Sequence, residues 1–406
     1  MRPGVHSEVG RLRHVIVHRP GLELSRLTPD NVGGLLFDAT LWTTKAVEDH
    51  DVFVEELRRH GVDVLYFADL LAETLALPEG LRFVLDRVCI PDRVGPALAD
   101  RLRAFFEDLD STTAVSYLVG GVLMRDLGLR PGHSLQASML GPDDFLLPPL
   151  PNLLYPRDSS SWIYGGVSIN PMARAARRGE SVYVRALYRF HPRLDAQNAV
   201  VYLGQDDTQG VGASVEGGDV HVLGRRVVLV GVGERTTAPG VELLAQALFG
   251  SRQAERVIAV AIPRSHATMH LDTIMTMIDR DTFVLSSSIA RDLASWTLTP
   301  AEEGGGLRVV RNPDLWRSLA DALEADAVRV LVVDEDLRAA EREQWDEGTN
   351  LLAVAPGVVF GYERNEATRA MLLQHGLEVV TVPGGELSRG RGGPRCMTCP
   401  IVRDPL

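Results

Sequence analysis

One layout returns along this chain: a short apolar strand, a loop, an amphipathic helix and a second strand. It appears first as Val15–His18, the helical spacing of Ala46–His60, Gly61 as a helix stop, and the strand-like Val62–Phe67. Arg226–Val260 repeats it, with strand Val227–Val232, then Glu234 and Arg235, helix Val241–Phe249 and strand Arg256–Val260. Gly357–Val382 repeats it again, with strand Val358–Gly361, then Glu363 and Arg364, helix Glu366–His375, Gly376 and strand Leu377–Val382. A fourth copy with weaker patterning runs from Val167 to Leu203. The copies share layout, and an arginine after the first strand, more than they share residues. Self-similarity of this kind points to a circular or stacked α/β array, in which strand ends converge and distant segments meet.

Between Ala68 and about Gly141 the pattern changes to leucine-rich helical spacing, with expected helical runs at Leu81–Val88, Val94–Leu109 and Thr113–Leu127. Pro78, Pro91 and Pro131 are expected as breaks, and the stretch reads as a helical insertion carrying no obvious chemistry. The expected division is therefore 1–67, a helical insertion at 68–141, and 142–406. Cys89 falls on an apolar face within the insertion and is expected in the core.

Composition narrows the function classes. A formal charge of −12 argues against binding a phosphate backbone and suits a cationic small molecule. Lys45 is the only lysine among 42 basic residues, a bias that fits a GC-rich genome and not nucleic-acid recognition. No run approaches about eighteen apolar residues, and the first residues lack a signal peptide's apolar core. A cytoplasmic protein is expected, with three free thiols.

The densest chemistry lies in Ser388-Arg389-Gly390-Arg391-Gly392-Gly393-Pro394-Arg395-Cys396-Met397-Thr398-Cys399-Pro400. Three glycines and a proline permit turn conformations, so Cys396 is expected at a strained, exposed loop tip. Arg389, Arg391 and Arg395 are expected to favour its thiolate, the nucleophilic form. The Cys396-x-x-Cys399 spacing also allows a redox pair or half of a zinc site. Zinc would need histidines, since only Cys89 remains, and a redox pair usually opens a helix after a strand.

Other stretches carry polar residues of lower individual specificity. Asn152-Leu153-Leu154-Tyr155-Pro156-Arg157-Asp158 ends in an aspartate that is, by itself, a turn former or helix cap. Arg177 sits in a basic run that reads equally as a solvated helix start, and Glu216-Gly217-Gly218-Asp219 is a common turn pattern. Gly231-Val232-Gly233-Glu234-Arg235 lacks the third glycine of a dinucleotide loop. In Met269-His270-Leu271-Asp272-Thr273, an extended backbone sends His270 and Asp272 to one face. His266 lies four residues before His270, a ligand spacing if helical, but the zincin glutamate is missing.

The run Gly-Arg-Gly-Gly-Pro-Arg-Cys-Met-Thr-Cys-Pro resembles the nucleophile loop of the arginine deiminase family, within the guanidino-modifying enzymes. The resemblance extends from about Ser7 to Leu406, weakest in the helical insertion, with the other motifs in family order. It implies a five-module α/β propeller with the site on its axis and an inserted helical bundle subdomain. It implies hydrolysis of L-arginine to L-citrulline and ammonia, with Cys396 as nucleophile, His270 as general acid and base, and Glu216 beside that histidine. Asp158 and Asp272 would clamp the guanidinium. Asn152, Arg177 and Arg235 would hold the amino-acid end of the substrate, and Arg391 would contact substrate or gate access. No metal and no organic cofactor are implied, and the expected assembly is a homo-oligomer. The chain departs from the family at Pro156, where threonine is common, which bears on how Asp158 is placed. The stretch Glu343-Gln344-Trp345-Asp346, with Gly348 and Asn350, also resembles the family and is expected to support the site wall. Related reactions on agmatine, on a methylated arginine, or transferring the amidino group to an amine form the alternative.

Overall fold

The computed structural model describes residues 2–128, 134–194, 199–205, 212–289, 292–302, 306–333 and 336–406. The fold is mixed α/β, with helices and several open sheets. Five copies of one unit account for most of the strands among the described residues. Each copy has an antiparallel strand pair, a helix, and a third strand parallel to the second.

In the first copy Cys399–Arg403 pairs antiparallel with Leu12–Val17, helix Thr43–Arg59 follows, and Asp63–Tyr66 runs parallel to Leu12–Val17. The second consists of Ser160–Ile163, Gly166–Ile169, helix Arg178–Phe190 and Val200–Val201. The third is Val220–Gly224, Val227–Val232, helix Ala238–Gly250 and Arg256–Ala261. The fourth is Met275–Asp279, Thr282–Leu285, helix Leu315–Leu323 and Arg329–Val332. The fifth is Leu352–Ala355, Val358–Tyr362, helix Glu366–Gln374 and Glu378–Val382.

All four expected copies are present, with Gly61 and Gly376 in left-handed conformations just past their helices. The fourth unit was not legible because a hairpin interrupts it. Ser295–Pro300 and Leu307–Arg311 leave that unit after Thr282–Leu285 and add to the third unit's sheet, Ser295–Pro300 pairing with Arg256–Ala261 and Leu307–Arg311 with Ser295–Pro300. The strand–helix–strand rhythm is thereby broken at the positions where the pattern would show it.

The stretch after residue 67 is helical, as expected: Phe67–Leu75, Pro78–Val88, Pro91–Val94, Pro96–Glu107 and Ser111–Gly120. Pro78 and Pro91 open helices instead of only breaking them, because the first helical residues need no N–H partner within the helix. The run expected at Thr113–Leu127 stops at Gly120, and Val122–Leu123 pairs with Phe145–Leu147. Pro131 lies outside the described residues. Cys89 is buried, as expected.

The helical stretch shares one apolar cluster with the second and third units: Leu71, Leu102 and Leu118 join Ile163, Leu187 and Val228. A second cluster joins the third, fourth and fifth units through Leu229, Phe283 and Val359. A third cluster lies between the first and fifth through Phe53, Val15 and Phe360 and reaches Cys396 and Met397. Burying these side chains is the main favourable contribution to folding, about 1.5–3 kcal/mol for each large one. The units are therefore joined by packing as well as by chain. No helix among the described residues is long and apolar enough to cross a membrane.

Candidate active site

One short connection, the turn that enters a unit's first strand, carries the residues expected to do chemistry. Asp158 precedes Ser160–Ile163. Glu216 precedes the 3-10 turn Gly217–Asp219 and strand Val220–Gly224. His270 and Asp272 lie at the 3-10 turn Leu271–Thr273 before Met275–Asp279. Asn350 precedes Leu352–Ala355, and Cys396 precedes Cys399–Arg403. Polar groups at these points stand past the ends of the sheets, where they meet one another instead of a strand ladder.

The five residues expected to carry chemistry form one buried centre. His270 Nε2 is 2.7 Å from Glu216 Oε2, and its Nδ1 is 3.7 Å from Asp158 Oδ1. Asp158 Oδ1 also accepts the Gly218 N–H at 2.9 Å. On the other side, Cys396 Sγ donates to Asp272 Oδ2 at 3.6 Å, a long contact even for sulfur. His270 is extended but Leu271–Thr273 tightens into a 3-10 turn, so the expected extended alternation does not hold. The tertiary packing brings both side chains to the centre nevertheless. Asp158, two residues after Pro156, is fixed by the Gly218 N–H and by Arg177 Nη1 at 2.5 Å.

Cys396 differs from the sequence expectation. It is 2 % exposed, not at an exposed tip. Burial pushes its thiol well above the ordinary range; Asp272, Asp158 and Glu347 push the same way, and Arg395 opposes them. The three arginines do not combine to favour the thiolate because each already has a carboxylate. Arg389 pairs with Glu386 at 2.9 Å and is partly exposed. Arg391 Nε donates to Glu347 Oε1 at 3.2 Å. Arg395 donates to Glu8 Oε1 at 2.8 Å and to Asp272 Oδ2 at 2.6 Å.

His270 has the opposite character. Burial would lower its pKa, but the Asp158 charge and the hydrogen bond to Glu216 outweigh that and lift it to about 9. The carboxyls of Asp158 and Glu216 lie below their ordinary values, since the histidine and arginine charges outweigh the burial that would raise them. An imidazolium between two carboxylates is thus the resting state, and it has a proton to give.

The residues expected to grip a substrate's amino-acid end are engaged within the protein. Arg177 donates to Glu180 through Nε and Nη2, to Asp158 through Nη1, and to the carbonyls of Asn152 and Tyr155 through Nη2. Arg235 Nη1 donates to Glu216 Oε2 at 3.2 Å. The Asn152 side chain donates to the Leu35 carbonyl at 2.7 Å. Arg391 adopts a left-handed backbone (φ 62°) and lies under the Trp345 ring, its guanidinium carbon 3.6 Å from the centroid. Asp272 Oδ1, buried and without a partner, is the one carboxylate oxygen of the two expected clamp residues left open to a ligand.

Asp158, Glu216 and His270 offer ligand atoms within 4.8 Å of one another, a spacing that suits a metal ion. The carboxylates of Asp158 and Glu216 already accept from Arg177 and Arg235, and a protonated His270 has no free lone pair to offer an ion. His266, the other histidine weighed as a ligand, is half exposed and pairs with Asp38 at 2.9 Å. Cys399 contacts Ser160 and Tyr188, and no disulfide joins it to Cys396.

Two partners carry no signal in local spacing. Glu8 lies 387 residues from the arginine it holds, and only the pairing of Cys399–Arg403 with strands at the other end of the chain brings it near. Asn350, expected only as wall, touches the sulfur. Beyond the family resemblance of its stretch, its signal is a position just before a strand, Leu352–Ala355.

A family profile described as Arginine deiminase matches residues 33–403, nearly the whole chain. The chain belongs to the arginine deiminase family. Solved structures similar to this family member extend the likeness to its fold. An amidinotransferase from Microseira wollei, of a saxitoxin biosynthetic pathway, aligns with TM-score 0.57 at 14% identity, covering 100% of this chain and 98% of its own. The N-terminal domain of a cyanobacterial arginine dihydrolase of the ornithine-ammonia cycle, bound to product, aligns with TM-score 0.55 at 11% identity, covering 96% and 97%. A DDAH from Pseudomonas aeruginosa, complexed with citrulline, aligns with TM-score 0.52 at 14% identity, covering 96% and 99%. The family marks a guanidino-modifying enzyme, and these neighbours share its fold.

Proposed function

We propose that the enzyme hydrolyses L-arginine to L-citrulline and ammonia through a covalent cysteine-amidino intermediate. The observation that supports this best is the single buried centre in which Cys396, a protonated His270 held by Glu216, and the carboxylates of Asp158 and Asp272 stand together. A planar cation is the ligand such a centre suits, because carboxylates match a guanidinium's donor fork. Asp272 accepts through its open Oδ1, and Asp158 flanks the histidine. The substrate's positive charge favours the thiolate that burial and the neighbouring carboxylates disfavour, the thiol's proton passing to solvent as the guanidinium enters.

The Cys396 sulfur then forms a bond to the guanidinium carbon. His270 gives its proton to a terminal nitrogen, the carbon–nitrogen bond breaks, and ammonia leaves. The neutral imidazole next takes a proton from water, the hydroxide adds to the amidino carbon, and the carbon–sulfur bond breaks to release the thiolate and citrulline, whose new oxygen loses its remaining proton to solvent. Glu216 orients the histidine through both protonation states.

In this reading Arg177, Arg235 and Asn152 serve the substrate's carboxylate end, and Arg391 beneath Trp345 controls access. The five units would close around the centre as a five-module α/β propeller, with 68–141 inserted after the first unit and the remainder at 1–67 and 142–406. One observation favours a second reading. Arg177 and Arg235 are committed to Asp158 and Glu216, which weakens the case for a ligand carboxylate and favours agmatine, which has none, over arginine or a methylated arginine.

The test is release of citrulline and ammonia by the purified protein and by Cys396→Ala, with agmatine and a methylated arginine in parallel. Equal citrulline and ammonia from arginine, abolished by the substitution, is the expected result. Turnover of another guanidine alone transfers the reading to that substrate, and no turnover of any guanidine rejects it.

A further inference from the structure

We propose that Asn350 is a positioning residue that aims the Cys396 sulfur and stabilises its thiolate. This rests on Cys396 being the nucleophile. Asn350 is fully buried, and its side-chain amide brackets one residue from two sides: Oδ1 accepts the Cys396 backbone N–H at 3.1 Å, and Nδ2 donates to Sγ at 3.0 Å. The orientation of the amide follows from these bonds, since a backbone N–H can be met only by the oxygen. The second N–H is therefore aimed at sulfur.

The surrounding backbone is shaped for this contact. Glu347 takes a left-handed conformation (φ 63°), and its carbonyl accepts the Asn350 N–H at 3.0 Å, forming a tight turn into strand Leu352–Ala355. The Asn350 carbonyl faces the Arg395 N–H at 3.5 Å. A Cβ at Gly393 would stand 2.8 Å from Asn350 Cβ, O and Oδ1, so the nucleophile loop approaches this closely only because residue 393 has no side chain. The placement within the fold is a separate argument. The connection into the first strand carries Cys396, Asp158, Glu216 and the His270–Asp272 pair in four units, and in the fifth it carries Asn350.

The contact has a chemical consequence. Burial and three carboxylates hold the thiol protonated, and Asp272 Oδ2 accepts from the neutral thiol. A donor aimed at the sulfur favours the ionised form instead, and the Asn350 amide is the side-chain donor within reach of it among the described residues. With the backbone N–H of Cys396 held by the same amide, the sulfur is aimed and activated by one side chain.

The test is the pH dependence of Cys396 alkylation by iodoacetamide, read by mass spectrometry, in the wild type, Asn350→Ala and Asn350→Asp, with folding followed by circular dichroism. The expected result is a rate at neutral pH lowered about tenfold or more in Asn350→Ala, with the profile displaced to higher pH. Asn350→Asp keeps the acceptor and the size, so it preserves the fold if alanine does not; it is expected to show the same displacement. On the substrate identified above, kcat falls with little change in KM. An unchanged alkylation profile in a folded variant overturns the proposal. Alkylation needs no substrate, so a displaced profile beside an inactive wild type rejects the proposed reaction while upholding the role of Asn350.

Discussion

His270 shows how a single side chain is set by its neighbours. Its folded pKa of about 9 stands above the ordinary 6.5, so the folded protein holds a proton that the unfolded chain releases. The sign follows directly: this contribution to stability is complete below pH 6.5 and is lost as pH rises through about 9. Burial pushes Asp219 and Glu347 to about 7, so the cost of ionising them in the folded protein builds up earlier in the rise and is complete above that pH. Between about pH 7.5 and 8.5 stability should therefore fall with a slope on the order of 1 kcal/mol per pH unit, and His270→Gln should flatten it. Urea denaturation at several pH values measures this; a slope unchanged in the variant would mean the histidine is neutral.

The element that matters most to the site is the short turn before a strand. Gly218 shows why its sequence is narrow. Its N–H holds Asp158, its carbonyl accepts from Arg395, and a Cβ there would lie 2.7 Å from His270 Cγ. Gly218→Ala should displace the imidazole from Glu216, lowering kcat at least about tenfold and costing about 1–3 kcal/mol of stability. Enzyme assays beside thermal melts check both, and an active, equally stable variant would show that the turn has room to give. The same turn could be located from its paired glycines, but not its neighbour, because the contact with His270 spans segments that no local pattern connects. The Cys396 loop is the converse case. Its glycines and arginines set it apart in the sequence but do not show its burial, since Glu8, Asp272 and Glu347, which pair with its arginines, come from elsewhere in the chain.

At the scale of the whole molecule, the two ends of the chain meet in one sheet. Its strand order places Cys399–Arg403 between Gly4–Val5 and Leu12–Val17. Arg403 is buried there, donating to the carbonyls of Glu8 and Gly10. Deleting residues 399–406 would open a ladder on both sides and remove the strand on which the Cys396 loop is seated. The expected outcome is loss of cooperative unfolding and of soluble protein, followed by circular dichroism and expression yield. A folded truncated chain would mean that the first unit closes without this strand.

What the amino-acid order determined by itself was local and periodic: the repeating strand–helix–strand plan, the helical stretch after residue 67, and the glycine- and arginine-rich Cys396 loop. These are readable because period and turn chemistry act over a few residues. Only the tertiary structure decided that Arg177, Arg235 and Arg395 pair with Asp158, Glu216 and Asp272, that Cys396 is buried, and that Asn350 reaches its sulfur. Charge pairing and desolvation depend on which side chains share a space, and five turns far apart in sequence share this one because the sheets that carry them pack together.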